Sequence, residues 1–408
     1  MSEIIQRELR NGLRVCLEPA DHLPSAAVGL LVRTGSRDEG PGEEGGSHFL
    51  EHLCFKGSAR LSAQELNQGI DRLGSYFDAA TSHEETIYHG WLPPENVPAQ
   101  LALLGEMMRS VLPAEEVELE RQVILEEIAE HYDEQEDVLL ELALGRAFAG
   151  SPLEHSVLGT EETIEAMTRE QLLAYHARRY GPENMLFIAT GRLDPPALVA
   201  ELERLTADWP AGESGRVQAA PRVRTGVVKE VTDRFTQQGL VLAFPAPAGR
   251  ADDLRVLFVE SVLTGFNSRL FWELRQKDIC PEVDAFYMPF SDVGLFVFSA
   301  QCEPERAEGA LAALREQAER LTREGPTAAE VERVKHRLRT ELATEADSPV
   351  GRFTQLADNL HLVGKAPTLA EDAARLEAIT VRDVCALLEE YPLTGEGLLV
   401  STGPVDWP

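Results

Sequence analysis

The residues best suited to chemistry are His48 and His52, with Glu51 between them. Residues four apart lie on the same face of a helix, so the two imidazoles would converge on one point, and Glu51 borders that face. Two imidazoles beside a carboxylate are typical of a zinc hydrolase, in which the glutamate acts as general base. We predict a zinc-binding helix here rather than a solvated helix with incidental histidines.

The order of this motif is inverted, because the glutamate precedes the second histidine instead of following the first. Catalytic zinc takes three protein ligands and leaves its fourth position for water. A third ligand is therefore expected further along the chain.

A long helical pattern from about Ala114 to Asp137 contains the best candidate for this ligand. Its apolar stripe includes two carboxylates, Glu120 and Glu127. Burying an ionised carboxylate is costly unless it is paired or binds a metal. These two are therefore the predicted functional carboxylates. The other acidic residues nearby are predicted to be solvated, namely Glu126, Glu130, Asp133, Glu134, Glu136 and Asp137.

The inverted motif, its flanking segments 34–39 and 55–57, and the spacing of Glu120 and Glu127 together resemble the pitrilysin, insulysin and mitochondrial processing peptidase family. The resemblance is closest to the bacterial processing-peptidase-like branch and to the catalytic (beta) subunit type. It implies that His48, His52 and Glu127 bind one Zn²⁺ per chain, that Glu51 activates water, and that Glu120 supports the site as a further catalytic residue. The implied activity is that of a zinc metalloendopeptidase, which hydrolyses peptides or short unfolded polypeptides in an enclosed chamber.

Segment 73–82 is similar to the edge strand that pairs with the substrate backbone in this family. The resemblance places Asp78, Ala79 and Thr81 at the substrate. Asp78 departs from the usual Asn, and a carboxylate lacks the donor hydrogens of an amide. Segment 180–185 and the apolar strand after it, which ends at Gly191, also resemble the corresponding part of this family.

The 408 residues predict two domains, 1–212 and 222–408, joined by a Pro/Gly/Arg-rich linker at about 207–225. Segments 113–118 and 167–172 are echoed at 327–332 and 379–384, which indicates an internal duplication. Predicted strands alternate with long helices. The expected fold is α+β, with two homologous α/β sandwich domains, each a mostly antiparallel sheet covered by helices.

The second half lacks the histidine motif, since segment 265–275 contains no histidine. In self-sufficient family members this half supplies an Arg and, seven residues later, a Tyr that contact the substrate. Arg275 stands at the Arg position, but Glu282 replaces the Tyr, and Tyr287 is too distant to substitute. The resemblance therefore favours a heterodimer with a related subunit that lacks zinc, and a homodimer is the alternative.

The formal net charge of −31 argues against nucleic acids and anionic membranes as partners. The acidic charge could favour basic peptide substrates or serve only solubility, and both interpretations stay open. No apolar signal core and no membrane-spanning run is evident, so a cytoplasmic location is expected. Five scattered cysteines predict no disulfide framework, and Cys54, two residues after His52, is predicted to pack rather than to bind metal.

The remaining histidines considered, His83, His89 and His131, lack the spacing of metal ligands and are predicted to have surface or structural roles. A rival function is that of a structural core subunit in a hetero-oligomer, because the family includes members that persist without proteolysis. Retention of the whole zinc motif favours the peptidase.

Overall fold

A computed structural model describes residues 3–216 and 220–407 of the chain. Within them the strands are β1 (Ile5–Glu8), β2 (Arg14–Pro19), β3 (Ala26–Val32), β4 (Tyr76–Thr81), β5 (Thr86–Leu92), β6 (Met185–Gly191), β7 (Gly226–Val231), β8 (Gln238–Ala246), β9 (Glu282–Pro289), β10 (Gly294–Cys302) and β11 (Leu398–Gly403).

The α-helices of the same residues are α1 (Gly46–Cys54), α2 (Ala63–Arg72), α3 (Val97–Met107), α4 (Ala114–His131), α5 (Gln135–Ala147), α6 (Glu161–Ala166), α7 (Arg169–Arg179), α8 (Pro195–Thr206), α9 (Arg255–Leu263), α10 (Ala307–Glu324), α11 (Ala328–Ala346), α12 (Pro349–Asp358), α13 (Leu369–Ala378) and α14 (Val381–Glu390). Two short π-helical segments, Phe271–Arg275 and Asn359–Val363, interrupt the regular pattern. None of these helices combines the length and apolar composition needed to cross a bilayer.

Apart from the additional edge strand β1, the two sheets have the same topology. The first has the strand order β1-β2-β6-β3-β5-β4, and the second has the order β7-β11-β8-β10-β9. The β2/β6 and β7/β11 pairs are parallel, and the other neighbours are antiparallel. The chain therefore has the predicted α+β fold, with two homologous domains that each consist of a mostly antiparallel sheet covered by helices.

The two compact units are not continuous in sequence. One unit contains residues 3–128, 155–216 and 342–369, and the other contains 129–154, 220–341 and 370–407. Each half of the chain thus gives a helical segment to the unit built on the other half's sheet, an exchange that the linear division into 1–212 and 222–408 does not include. Residues 217–219 of the predicted linker lie outside the described residues.

In the first unit, α12 covers one face of the first sheet. Strand β3 is buried along its whole length, and Phe353 of α12 packs on it. A Cβ on Gly29 would lie 2.6 Å from the Phe353 ring, so glycine is required for this close approach. His89 of β5 stacks on the same ring, with centroids 5.3 Å apart.

In the second unit, α5 packs on the second sheet through apolar side chains that include Leu139 and Ala143. The single helix predicted from Ala114 to Asp137 is wrong at its C-terminal end, because α4 ends at His131 and α5 begins at Gln135. The N–H of Asp133 bonds to the carbonyl of Glu130 in the intervening turn. Neither glycine nor proline marks this break in the sequence. The break gives α5 its own direction, so that its apolar face packs on the second sheet.

We expect the half-buried His176 to make the stability of the fold sensitive to acid. It stacks on Tyr180, and burial lowers the pKa of His176 to about 4. A depressed pKa favours the neutral imidazole in the folded state, so the stabilisation is present above about pH 6.5 and is lost as the pH falls towards 4. The unfolding free energy of the wild type should decrease between pH 7 and pH 5, and this decrease should be about 1–2 kcal/mol smaller in His176→Gln. Chemical denaturation at both pH values measures the difference. The exposed His22 provides the control His22→Gln, and equal pH dependence in both variants would contradict the assignment.

Candidate metal centre

The motif helix α1 is held at its N-terminus by a carboxylate. Glu39 accepts hydrogen bonds from the N–H groups of Gly45 (2.8 Å) and Ser47 (2.7 Å). An acceptor suits this position because the first N–H groups of a helix lack internal partners, and these hydrogen bonds partly oppose the burial that raises the pKa of Glu39 to about 8. The side of α1 that faces the core is apolar and fully buried, and comprises Phe49, Leu50, Leu53 and Cys54. The opposite side is thereby directed towards α4.

Three predicted ligands meet on that side. One ligand atom from each of His48, His52 and Glu127 lies within 4.8 Å of the others, and this is the group of metal-binding type found among the described residues. Glu127 Oε2 is 3.6 Å from Nε2 of His48 and 3.5 Å from Nε2 of His52. Zinc bonds of 2.0–2.2 Å in a tetrahedron would separate ligand atoms by about 3.4 Å. The donor set and its spacing therefore fit zinc.

Glu120 holds one of these ligands in place. Its Oε2 lies 3.0 Å from Nδ1 of His52, and its Oε1 lies 2.6 Å from Nζ of Lys56. Glu120 is buried, so the ion pair with Lys56 offsets the cost of burying the carboxylate. A hydrogen bond at Nδ1 leaves Nε2 of His52 as the nitrogen that faces Glu127 and His48, which is the orienting role expected of Glu120.

Glu51 projects beside the same cluster. Its Oε2 accepts a hydrogen bond of 2.6 Å from the hydroxyl of Thr81, the last residue of β4. This contact joins the motif helix to the edge strand across 30 residues of sequence. Thr81 was predicted to contact the substrate. In the structure its side chain is hydrogen-bonded to Glu51, the predicted base.

The carboxylates around His52 stabilise positive charge on this ligand, whereas His48 is held in its neutral form. Burial, followed by the charge of His52, lowers the pKa of His48 to about 4, so this imidazole is neutral at neutral pH. Burial opposes the charged form of His52, but Glu120, Glu127 and Glu51 outweigh it and raise the pKa of His52. Burial likewise raises the pKa of Glu51. Burial alone would raise the pKa of Glu120, yet hydrogen bonds from His52 and Lys56 lower it.

The edge strand β4 lies at the free edge of the first sheet, as predicted. Side chains along it alternate, so Ala79 and Thr81 are half-buried on one face while Asp78 is exposed on the other. Asp78 Oδ1 accepts the N–H of Ala79 at 2.9 Å. The Asp78 carboxylate is therefore engaged within its own strand.

Arg275 and Glu282 line one cavity of about 280 Å³ in the second unit, together with Asp284. Arg275 ends the π-helical segment Phe271–Arg275, and Glu282 begins β9. The hydroxyl of Tyr287 donates to the carbonyl of Pro247 at 2.8 Å, so it is committed elsewhere.

The residues near the motif that were not predicted to bind metal lie outside the ligand cluster. Glu126 and Glu130 are exposed on α4, as expected of solvated residues. Cys54 is fully buried, which raises the pKa of its thiol to about 12 and suits a packing role. His131 Nε2 lies 3.1 Å from Glu141, and burial lowers the pKa of His83 to about 4.

The sequence did not predict the contacts that Glu39, Lys56 and Thr81 make at the site. All three lie in segments that carry the resemblance to the family. These segments do not indicate which residues the three side chains contact. The capping role of Glu39 had a local signal, because an acidic residue shortly before a helix often accepts its first N–H groups. The contact between Thr81 and Glu51 had none.

Two family models match the chain. Residues 14–161 match the model described as insulinase (peptidase family M16), and residues 166–338 match the model described as peptidase M16 inactive domain. The first range contains the cluster of His48, His52 and Glu127.

Curated relatives cover nearly the whole chain. An uncharacterized zinc protease of Mycobacterium tuberculosis is 33% identical over 391 residues, which cover 93% of this chain and 88% of that protein. An uncharacterized zinc protease of Rickettsia bellii is 30% identical over 365 residues, with 88% and 87% covered.

Solved structures share the fold. A protease from Helicobacter pylori superimposes with a TM-score of 0.90 at 22% identity, over 98% of this chain and 100% of that one. A chain of complex III2 from Candida albicans gives a TM-score of 0.84 at 19% identity, over 99% and 97%. At these identities the likeness concerns the fold alone.

We expect about one zinc ion per wild-type chain at neutral pH, measured by inductively coupled plasma mass spectrometry after dialysis. Glu127→Ala should lose most of the metal, because it removes one of three ligands. Glu126→Ala is the matched control, since this exposed neighbour should leave zinc content unchanged. Full retention of zinc in Glu127→Ala would reject the third ligand and point to Glu126 or Glu130.

Proposed function

This chain belongs to the insulinase (M16) family of peptidases, and from that premise we propose that it is a zinc metalloendopeptidase acting on peptides or short unfolded polypeptides. The observation that carries the proposal is the meeting of His48, His52 and Glu127 next to Glu51. Three ligands with a carboxylate beside them are what peptide hydrolysis at zinc requires.

Bound zinc would supply Lewis acidity, which acidifies the attacking water and polarises the scissile carbonyl. Glu51 accepts the proton of that water, and its raised pKa brings the carboxylate closer to the pH at which a general base works well. The same proton is then available for the departing amine. Thr81 keeps one carboxylate oxygen of Glu51 occupied, which leaves the other oxygen for this transfer.

Glu120 and Lys56 act on the site through His52. The Nδ1–H group of His52 donates a hydrogen bond to Glu120. The lone pair of Nε2 is therefore directed towards His48 and Glu127. Lys56 holds the second oxygen of Glu120. These contacts set the tautomer and the ring orientation, which are the usual tasks of groups behind a metal ligand.

The free edge of β4 offers a place for the substrate backbone. An extended peptide can pair with an unpaired strand edge through main-chain hydrogen bonds. Because Thr81 ends this strand and contacts Glu51, a peptide added along β4 would pass beside the general base. This arrangement suits an unfolded segment rather than a folded protein.

The rival proposal is a structural core subunit without proteolysis. A likeness in fold to a chain of complex III2 carries no argument about chemistry, since one fold can serve unrelated functions. The complete constellation of His48, Glu51, His52, Glu120 and Glu127 favours the peptidase.

Glu51→Gln separates the base from the metal ligands. We expect this variant to keep its zinc while the rate of peptide hydrolysis falls by about 100-fold or more, because a carboxamide cannot accept the proton. A quenched fluorogenic peptide, with metal content measured on the same sample, gives both values. Activity near that of wild type in the zinc-loaded variant would reject Glu51 as the base.

We further propose that the chain works with a related subunit that lacks zinc. The resemblance to self-sufficient family members implies a Tyr where this chain has Glu282, and Glu282 shares a cavity with Arg275. Tyr287 cannot stand in, because its hydroxyl is bound to the backbone of Pro247. A second subunit carrying the missing contact would complete substrate positioning, which is worth several kcal/mol of barrier.

Native mass spectrometry of the complex purified from its own cells tests this assembly. The expected result is a heterodimer, with weak peptidase activity of the separated chain that rises strongly when the partner is restored. A mass of twice 45.0 kDa with full activity and no second polypeptide would reject the heterodimer in favour of a homodimer.

A further inference from the structure

The hydroxyl of Thr81 is the group of the edge strand that touches the general base. It donates a hydrogen bond of 2.6 Å to Glu51 Oε2. A glutamate side chain has several rotatable bonds, and ordering it costs conformational entropy. A charge-assisted hydrogen bond to one oxygen restricts both the rotamer and the plane of the carboxylate. The free oxygen of Glu51 is thereby aimed in one direction.

Thr81 can hold this position because its own backbone is held on both sides. It pairs with Thr86 of β5, and the N–H of Ser82 bonds to the carbonyl of Glu85 at 2.8 Å. The carbonyl of Ser82 also accepts the N–H of Ser36 at 3.2 Å. The turn after β4 is therefore tied to the segment that precedes α1.

A buried ion pair reinforces this tie. Arg37 and Glu84 lie 2.6 Å apart, with side chains only 1% and 4% exposed. Arg216 contacts the same carboxylate at 2.8 Å. Glu39, two residues after Arg37, caps the N-terminus of α1. The helix that carries Glu51 and the turn that follows Thr81 are thus joined by the same set of buried contacts.

We propose that Thr81 is a positioning residue that orients Glu51 for proton transfer. The proposal rests on the peptidase function proposed above. The hydroxyl thereby acts on the catalytic step and not on the affinity for zinc.

Thr81→Val tests the role, because valine keeps the β-branched shape suited to a strand and removes only the hydroxyl. We expect kcat to fall by about 10- to 100-fold, as for other groups that orient a catalytic side chain, with KM and zinc content nearly unchanged. Thr81→Ser keeps the hydroxyl and should recover most of kcat. A rise in KM with unchanged kcat would instead make Thr81 a substrate contact and overturn the proposal.

Thr86→Val is the matched control. Thr86 is the cross-strand neighbour of Thr81, but its hydroxyl donates to the carbonyl of Thr34 at 2.9 Å and not to Glu51. This variant should lower the thermal midpoint while keeping kcat within about twofold of wild type. An equal loss of kcat in both variants would show that general loosening of the strand is responsible, and would overturn the specific role of Thr81.

Crystal structures of the wild type and Thr81→Val give a measurement that does not depend on activity. We expect a single Glu51 rotamer in the wild type and several in the variant, whereas His48 and His52 stay in place. An ordered, unchanged Glu51 in Thr81→Val would overturn the proposal. If the wild type proves to have no peptidase activity, the proposed function fails, and the rotamer comparison still decides whether Thr81 orients Glu51.

Discussion

The site depends on a carboxylate buried between two guanidinium groups. Glu84 contacts Arg37 and Arg216, and Arg216 reaches Asp38 as well. A buried charge is tolerated only when it is paired, and removing one partner of such a pair typically costs about 3–5 kcal/mol. Because Arg37 and Asp38 precede the motif helix while Glu84 follows the edge strand, this network determines how the two approach each other. The positions of the base and of its hydroxyl partner follow from it.

A second constraint places the third ligand. Arg121, in the middle of α4, donates to the carbonyls of Ile164 and Met167, the latter at 3.0 Å. Its guanidinium also lies 5.6 Å from the centroid of the Phe49 ring of α1. Backbone acceptors and an aromatic face thus define the rotation of α4 about its axis. With that rotation set, Glu120 and Glu127 both face α1, and their exposed neighbours face solvent.

The two units have similar sheets but differ in the helical segments beside their edge strands. In β4, Asp78 accepts the N–H of Ala79, and in β9, Asp284 accepts the N–H of Ala285 at 2.8 Å. The edge strands of both units thus contain the same hydrogen bond between an Asp side chain and the N–H of the next residue. The helix beside β4 carries the histidines, whereas Phe271–Arg275 near β9 is a π-helical segment that ends in an arginine. The two units thus share a sheet architecture, while the group of metal-binding type lies in the first unit and segment 265–275 of the second contains no histidine.

The sequence by itself determined those features that depend on local periodicity and residue chemistry. The spacing of His48, Glu51 and His52 predicted the motif helix, and the repeated segments indicated the duplication. The apolar stripe narrowed the functional carboxylates to Glu120 and Glu127, and the resemblance to the family singled out Glu127 as the third ligand. Only the tertiary structure decided which elements meet. An amphipathic helix has an apolar face but does not encode which sheet covers it, so the exchange of α5 and α12 between the units was not predictable. The contact of Thr81 with Glu51 was hidden for the same reason, since a hydroxyl finds its acceptor only after packing has brought distant segments together.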